Sequence, residues 1–169
     1  DKLDEDFGNQ DGFFINLGYR SPRYSETFQS KPFVEGYYRQ YGDLIQYKGA
    51  ASNGVTSWPY NVKQKSAIRR FGLKVGGYRN ISKNGEWFGY LDIGKRIWIR
   101  GENEVIDGVT NYKEIYHWIY GGLGLGLNYY VHPKLSIGLE WEGWIAGSPK
   151  MYAELYEGGT FKLKNVSGI

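Results

Sequence analysis

The stretch GGLGLGLNYYVHPKLSIGLEWEGWI, residues 121–145, decides the fold class of this chain. Glycine or a polar residue alternates with leucine, isoleucine or an aromatic residue on both sides of His132-Pro133-Lys134. A period of two is typical of a β-strand with two unlike faces. Glycine at every second position would also cost a helix about 1 kcal/mol each. The stretch therefore predicts two antiparallel strands joined by a short turn.

The same alternation continues on both sides of this stretch, and it predicts one β domain over residues 1–169 after an N-terminal tail at 1–11. We predict eight strands, near 12–20, 33–41, 44–49, 66–79, 86–100, 114–131, 135–146 and 160–169. Short turns are predicted at 42–43, 80–86 and 132–134, and long loops near 21–32, 50–65, 101–113 and 147–159. Short turns at one end and long loops at the other are typical of outer-membrane barrels.

Composition narrows the function classes. The 169 residues include 25 glycines and 16 tyrosines but no cysteine, so no disulfide, thiolate metal site or cysteine nucleophile is possible. The formal net charge is +3, and the basic residues are scattered, which does not favour nucleic-acid binding. No apolar stretch approaches the roughly 20 residues of a membrane helix, but alternating strands can also cross a bilayer.

The two faces of the strands differ in chemistry. One face is aliphatic and aromatic, and the other carries glycine, tyrosine and charge. Strand 114–131 is long, and Trp87 and Tyr129 lie beside the short turns, where a membrane interface favours such rings. We therefore predict an all-β, eight-stranded antiparallel up-and-down transmembrane β-barrel. A soluble lipocalin-like barrel that binds an apolar small molecule gives the same alternation and remains the alternative.

The segment GLGLGLNYYVHPKLSIGLEWEGW, residues 122–144, resembles the strand–turn–strand unit of the OmpA-like and OmpX-like small outer-membrane barrels. In that family, a glycine-alternating strand ends in aromatic residues, and a short turn leads to a strand with inward acidic residues. The resemblance extends over about 66–146. It implies a Gram-negative bacterium, a location in the outer membrane and contact with outer-membrane lipid and lipopolysaccharide.

Charged residues on the glycine-bearing face are candidates for a paired network that fills the barrel. With Arg20 included, four basic residues oppose three acidic ones, which is nearly balanced. An eight-stranded barrel also has little room for a channel. The predicted lumen ion-pair network is Arg70, Lys74, Asp92, Arg96, Glu140 and Glu142. Lys95 interrupts the apolar face of its strand, so we predict that it contacts lipid head groups.

The two histidines give little support for catalysis. His132 lies in a predicted turn. His117 shares the apolar face, where lipid A deacylases of this size carry a histidine with a serine two residues on, but this chain has Ile119 there. A lipid A-modifying enzyme is therefore a second alternative. We expect no catalytic residue, cofactor or metal site.

The long loops are rich in aromatic and cationic residues, which are common hot-spot types at interfaces. The predicted loop binding surface is Arg23, Tyr24, Trp58, Tyr60, Tyr112, Lys113 and Tyr152. The sequence thus predicts a non-catalytic, monomeric outer-membrane barrel whose cell-surface loops serve binding or adhesion, with a host or surface protein or glycan as partner and no nucleic acid.

Overall fold

A computed structural model gives the structure of the chain for residues 5–7, 9–21, 30–52, 54–132, 135–155 and 159–163. These residues form strands and connections. The strands are β1 (Glu5–Phe7), β2 (Asp11–Arg20), β3 (Lys31–Ser52), β4 (Ser57–Asn80), β5 (Gly85–Arg100), β6 (Val105–Ile106), β7 (Val109–Thr110), β8 (Lys113–His132), β9 (Leu135–Ala146), β10 (Lys150–Glu154) and β11 (Thr160–Leu163).

The main sheet is an antiparallel meander in which β3, β4, β5 and β8 pair in sequence order. On one side, β1 and β2 both pair with β3; on the other, β8 pairs with both β9 and β10, and β10 with β11. The predicted all-β, antiparallel up-and-down architecture is confirmed. Among the described residues, no pairing joins β2 to β9, so the sheet is open and no closed barrel is seen.

The predicted turn at Gly42-Asp43 is wrong. Strand β3 runs through it without a break, so the predicted strands 33–41 and 44–49 are one strand. Every residue of β3 has a partner on β4, from Lys31 opposite Tyr78 to Ser52 opposite Ser57. A continuous backbone ladder satisfies all the donors and acceptors on that edge, and this outweighs the turn preference of one Gly-Asp pair. The end of β2 at Arg20 and the start of β3 at Lys31 consequently lie at the same end of the sheet as residues 81–84, and not at the opposite end.

Most of the predicted long loops are also strand. Strands β3 and β4 leave only residues 53–56 of the predicted loop 50–65, and Gly54 there has a φ of 85°. The predicted loop 101–113 contains the hairpin β6–β7, whose Asp107-Gly108 turn has φ values of 51° and 76°, as Asp-Gly turns favour. The predicted loop 147–159 contains β10, and the tail 1–11 contains β1. Part of the predicted loop 21–32 and of the last strand, residues 22–29 and 164–169, lies outside the described residues.

The two faces of this sheet have opposite chemistry. The charged face carries the even-numbered residues of β2, β4, β5, β8 and β9 and the odd-numbered residues of β3. The apolar face carries the alternate set. Apolar side chains are the exposed ones: Leu91 is 70% exposed and Leu139 is 75%, whereas Asp92 is 3% exposed and Glu86 is fully buried. The sheet therefore curls around its charged face, which is the inverse of a water-soluble sheet.

Candidate functional site

The centre of the charged face is built around Arg70 on β4. Its Nη2 donates to Asp92 Oδ2 at 3.0 Å and to Glu142, and its Nε donates to the Tyr120 hydroxyl at 2.7 Å. The Tyr37 hydroxyl contacts that of Tyr120 and donates to Asp92 Oδ1 at 2.9 Å. Because these residues come from β3, β4, β5, β8 and β9, one guanidinium links most of the width of the sheet.

Lys74, four residues after Arg70 on β4, forms a second cluster. Its Nζ lies 2.7 Å from Glu140 Oε1 and 3.6 Å from Glu142 Oε2, and it donates to the Tyr90 hydroxyl at 2.9 Å. The Tyr90 hydroxyl also donates to Glu140, and to Glu142 at 3.2 Å. The structure thus brings together Arg70, Lys74, Asp92, Glu140 and Glu142.

Arg96, the sixth member of the predicted network, makes no ion pair with a described residue. Its guanidinium carbon lies 5.1 Å from the centre of the Trp118 ring, and its buried Nε has no hydrogen-bond partner among the described residues. The prediction that Arg96 is an ion-pair member is therefore wrong. The reason is register: Arg96 pairs with Trp118 and with Arg70, so one neighbour is an aromatic ring and the other is a like charge.

A third cluster was not recognised in the sequence and surrounds Glu86 at the start of β5. Glu86 Oε1 accepts from Arg20 Nη2 at 2.7 Å, Asn128 Nδ2 at 3.0 Å and the Tyr130 hydroxyl at 3.2 Å. Arg20 also lies 4.1 Å from the centre of the Tyr78 ring. Glu86 shares the even numbering of Asp92 and Tyr90, so its position on the charged face was a usable signal.

Glycines on the charged face make room for tyrosine rings. A Cβ at Gly124 would collide with the Tyr90 ring, one at Gly94 with Tyr120, and one at Gly72 with Tyr37. These glycines therefore allow the tyrosine rings to approach the neighbouring backbone closely. The tyrosine hydroxyls thereby reach the charged groups that they hydrogen-bond.

A separate cleft lies at the end of the sheet that carries the hairpin β6–β7, between β3, β4, β5 and β8. Its volume is about 210 Å³, and Tyr47, Tyr60, Arg100, Asn111 and Tyr112 are among its lining residues. Asn111 Nδ2 donates to the Tyr60 hydroxyl at 3.1 Å, and the Tyr47 and Tyr60 rings meet edge to face at 6.3 Å. Rings, an amide and a guanidinium in one depression suit a sugar or a peptide.

The wall beside this cleft holds one perturbed group. Burial, and then the charge of Glu114, raise the pKa of Tyr116 to about 12. The Tyr116 hydroxyl donates to Glu114 Oε2 at 3.1 Å, and Arg100 Nη1 lies 3.4 Å from the same oxygen. Tyr116 is thus a neutral donor that fixes the carboxylate next to Arg100.

The predicted loop surface is divided by the structure. Only Tyr60 and Tyr112 line the cleft. Trp58 lies on β4 near the hairpin, 40% exposed, and Lys113 Nζ pairs with Glu154 Oε2 at 2.8 Å. Tyr152 lies on the apolar face of the sheet, where its ring centre is 5.3 Å from that of His117. Arg23 and Tyr24 lie outside the described residues.

Lys95 and His117 both lie on the apolar face. Lys95 borders an apolar groove of about 640 Å³ together with Phe71, Ile93 and Ile119. His117 Nδ1 is buried without a hydrogen-bond partner among the described residues, and burial, then the charge of Lys95, lower the pKa of His117.

Within the described residues, no group of three or more His, Asp or Glu side chains could hold a metal ion. None of the described segments is a helix long and apolar enough to cross a membrane. No family model matches this chain, and no curated protein or solved structure is similar to it.

Proposed function

We propose that this chain forms the wall of a non-catalytic transmembrane β-barrel in a bacterial outer membrane and presents a recognition cleft at one end. The observation that carries the proposal is the exposure of the apolar face over β2, β4, β5, β8 and β9, with the network of paired charges on the opposite face. Water would penalise so large an apolar surface. A bilayer favours it, because lipid faces the outside of the barrel and paired polar groups fill the inside.

The height of the apolar surface supports this assignment. On β8, the apolar face is uninterrupted by charge from Ile119 to Val131. At about 3.3 Å per residue this run is about 40 Å long, and a strand tilt near 45° reduces it to about 28 Å across the membrane. Outer-membrane barrels carry an apolar band of about 25 Å. Trp87 and Tyr129 lie toward the end with the short turns, as interfacial rings do.

Membrane insertion has one structural requirement. Unpaired backbone groups are not tolerated in hydrocarbon, so the free edges of β2 and β9 have to be paired in the bilayer. Arg20 on β2 already reaches Glu86 on β5 and Tyr130 on β8, which supports the curvature that closure needs. An eight-stranded closed barrel and membership of the OmpA-like or OmpX-like group stay predictions.

Catalysis finds no support in the geometry. His117, the candidate of a lipid A-modifying enzyme, contacts Tyr152 and borders cationic side chains rather than a hydroxyl nucleophile. The carboxylates of Glu86, Asp92, Glu140 and Glu142 are paired with Arg20, Arg70 and Lys74. A soluble barrel with an apolar ligand is also disfavoured, because the cavity on the charged face is lined by Arg20, Lys74 and Glu140.

The proposal is tested by refolding the urea-denatured chain into phosphatidylcholine vesicles. We expect folding to depend on lipid, protease resistance of the strands, and a different electrophoretic mobility for boiled and unboiled samples. The protein kept in buffer without lipid or detergent serves as the control. A folded, monodisperse monomer in that buffer would contradict the membrane assignment.

The recognition part of the proposal is tested at the cleft. On a glycan array, the folded protein should bind a subset of sugars, and Tyr112→Ala should abolish that binding because it removes an exposed ring of the cleft. Tyr19→Ala, which removes an exposed ring far from the cleft, is the matched control. Equal loss in both variants, or no effect of Tyr112→Ala, would contradict a recognition role for the cleft.

A further inference from the structure

Charge is distributed unequally between the two faces of the sheet. On the charged face, the strands carry equal numbers of basic and acidic residues: Arg20, Lys31, Arg39, Arg70, Lys74, Arg96 and Arg100 against Glu35, Asp43, Glu86, Asp92, Glu114, Glu140 and Glu142. On the apolar face of β2–β5 and β8–β10, the basic residues are Lys48, Lys63, Lys65, Arg69, Arg79, Lys95, Lys113 and Lys150, and the acidic ones are Asp11 and Glu154. The charged face is self-neutral, whereas the apolar face has a large excess of positive charge.

Part of this excess forms a compact patch at one border of the apolar surface, which we call the cationic patch: Arg69, Lys95 and Lys150, with His117 between them. These three residues and His117 lie on β4, β5, β8 and β10, which are consecutive in the sheet. Ile97 on β5 is opposite both Arg69 and His117, and His117 is opposite Lys150. Lys95 lies two residues before Ile97 on the same face of β5. Neighbouring strands are about 5 Å apart, so the patch spans about 15 Å.

The cationic patch has no acidic partner in the described part of the chain. Arg69, Lys95 and Lys150 form no ion pair there, in contrast with Lys65, which pairs with Glu102 at 2.6 Å, and Lys113. Strands β4, β5 and β8 carry no acidic residue at all on this face. Positive charge this concentrated and uncompensated favours an anionic ligand.

The groove of about 640 Å³ begins directly below the patch, and Lys95 belongs to its border. Leu17, Gly36 and Leu73 are aligned across β2, β3 and β4, so the missing side chain of Gly36 leaves a depression between two leucines. A Cβ at Gly36 would meet nothing closer than Leu17 O at 3.8 Å. The groove is therefore open, apolar and shaped by a small residue.

We propose that the cationic patch and the groove together bind a phosphorylated lipid with several acyl chains, the chemistry of lipid A, at the membrane border. The phosphate groups contact Arg69, Lys95 and Lys150, and acyl chains occupy the groove beside Gly36. The inference rests on the proposed function, because only a membrane-embedded sheet presents this face to lipid. It adds the residues that hold the phosphate groups and the groove that holds the acyl chains.

The test uses the full chain folded in a zwitterionic detergent and measures binding of lipid A by native mass spectrometry. The variant Arg69→Gln/Lys95→Gln removes two charges of the patch. The variant Lys63→Gln/Lys83→Gln removes two exposed charges elsewhere and is the matched control. Each basic group near an anionic surface contributes about 1 kcal/mol, so the patch variant should bind about 30-fold more weakly, and the control should bind within about twofold of the unmodified protein.

Two further measurements separate the contribution of the phosphate groups from that of the acyl chains. Dephosphorylated lipid A should bind the unmodified protein and the patch variant equally, and Gly36→Leu, which fills the groove, should weaken binding of lipid A with the patch intact. Equal lipid A binding by both double variants would overturn the inference. If all variants still insert into phosphatidylcholine vesicles, the proposed function stands without it; if the unmodified protein fails to insert, the proposed function itself is wrong.

Discussion

Replacement of Arg70 by methionine is the sharpest perturbation of the charged face. Methionine keeps the length of the stem but removes the donors to Asp92, Glu142 and Tyr120. The Asp92 side chain is fully buried and Arg70 is 17% exposed, so the change leaves an anion without its cation in a protected place. Breaking a buried ion pair from one side costs about 3–5 kcal/mol, and we expect Arg70→Met to lower the free energy of unfolding by that amount.

The matched control is Lys65→Met. Lys65 also pairs with a carboxylate, Glu102 at 2.6 Å, but its side chain is 67% exposed. The neighbouring carboxylate raises the pKa of Lys65, mainly through the hydrogen bond. Solvent screens an exposed pair, which therefore contributes little to stability. The urea midpoint of Lys65→Met should stay close to that of the unmodified protein, whereas the midpoint of Arg70→Met should fall.

Urea titration of the protein in phosphatidylcholine vesicles, followed by tryptophan fluorescence, measures both variants. A second substitution, Asp92→Asn, should recover part of the loss in the Arg70→Met background, because it removes the uncompensated anion. Equal and small losses for Arg70→Met and Lys65→Met, with no rescue by Asp92→Asn, would refute the burial of the network.

Two other predictions address the glycines and the histidine. Gly124→Val should destabilise the protein by about 1–3 kcal/mol, since its side chain collides with Tyr90, whereas Gly121→Val on the apolar face should be tolerated; equal urea midpoints would contradict the assignment of faces. Burial, then Lys95, lower the pKa of His117 from 6.5, so its contribution to stability is present above pH 6.5 and is lost as the pH falls through the lowered pKa. Urea midpoints at pH 5 and pH 7.5 should differ more for the unmodified protein than for His117→Gln, and an identical pH dependence would show that His117 does not titrate as described.

Within the predicted strands 12–20, 66–79, 86–100, 114–131 and 135–146, the alternation of residues predicted which side chains share a face, because the period of two is local. From numbering alone, Arg70, Lys74, Asp92, Glu140 and Glu142 were expected on one face, and the structure places them there in contact. What the pattern could not supply is the register between strands. Register opposes Arg96 to Arg70 and Trp118, and so separates Arg96 from the carboxylates.

Strand ends were predicted less well than strand faces. Gly42-Asp43 has the composition of a turn, but it lies inside β3 because β4 offers a pairing partner for each residue of that strand. Such a ladder is a non-local property, and no short window of sequence contains it. Tyr37, Tyr90 and Tyr120 were not predicted as members of the network. Their hydroxyl groups bind residues on other strands, and those contacts are equally non-local.

We propose that the even-numbered residues of β8 face a polar interior while the odd-numbered ones face lipid. The chain has no cysteine, so single cysteines can be placed from Ile119 to Val131 and spin-labelled one at a time in phosphatidylcholine vesicles. Collision rates with oxygen, which concentrates in hydrocarbon, and with a water-soluble nickel chelate measure the environment of each label. We predict high oxygen accessibility and low chelate accessibility at every odd position, and the reverse balance at the even ones; chelate-accessible labels along the odd positions would contradict the account.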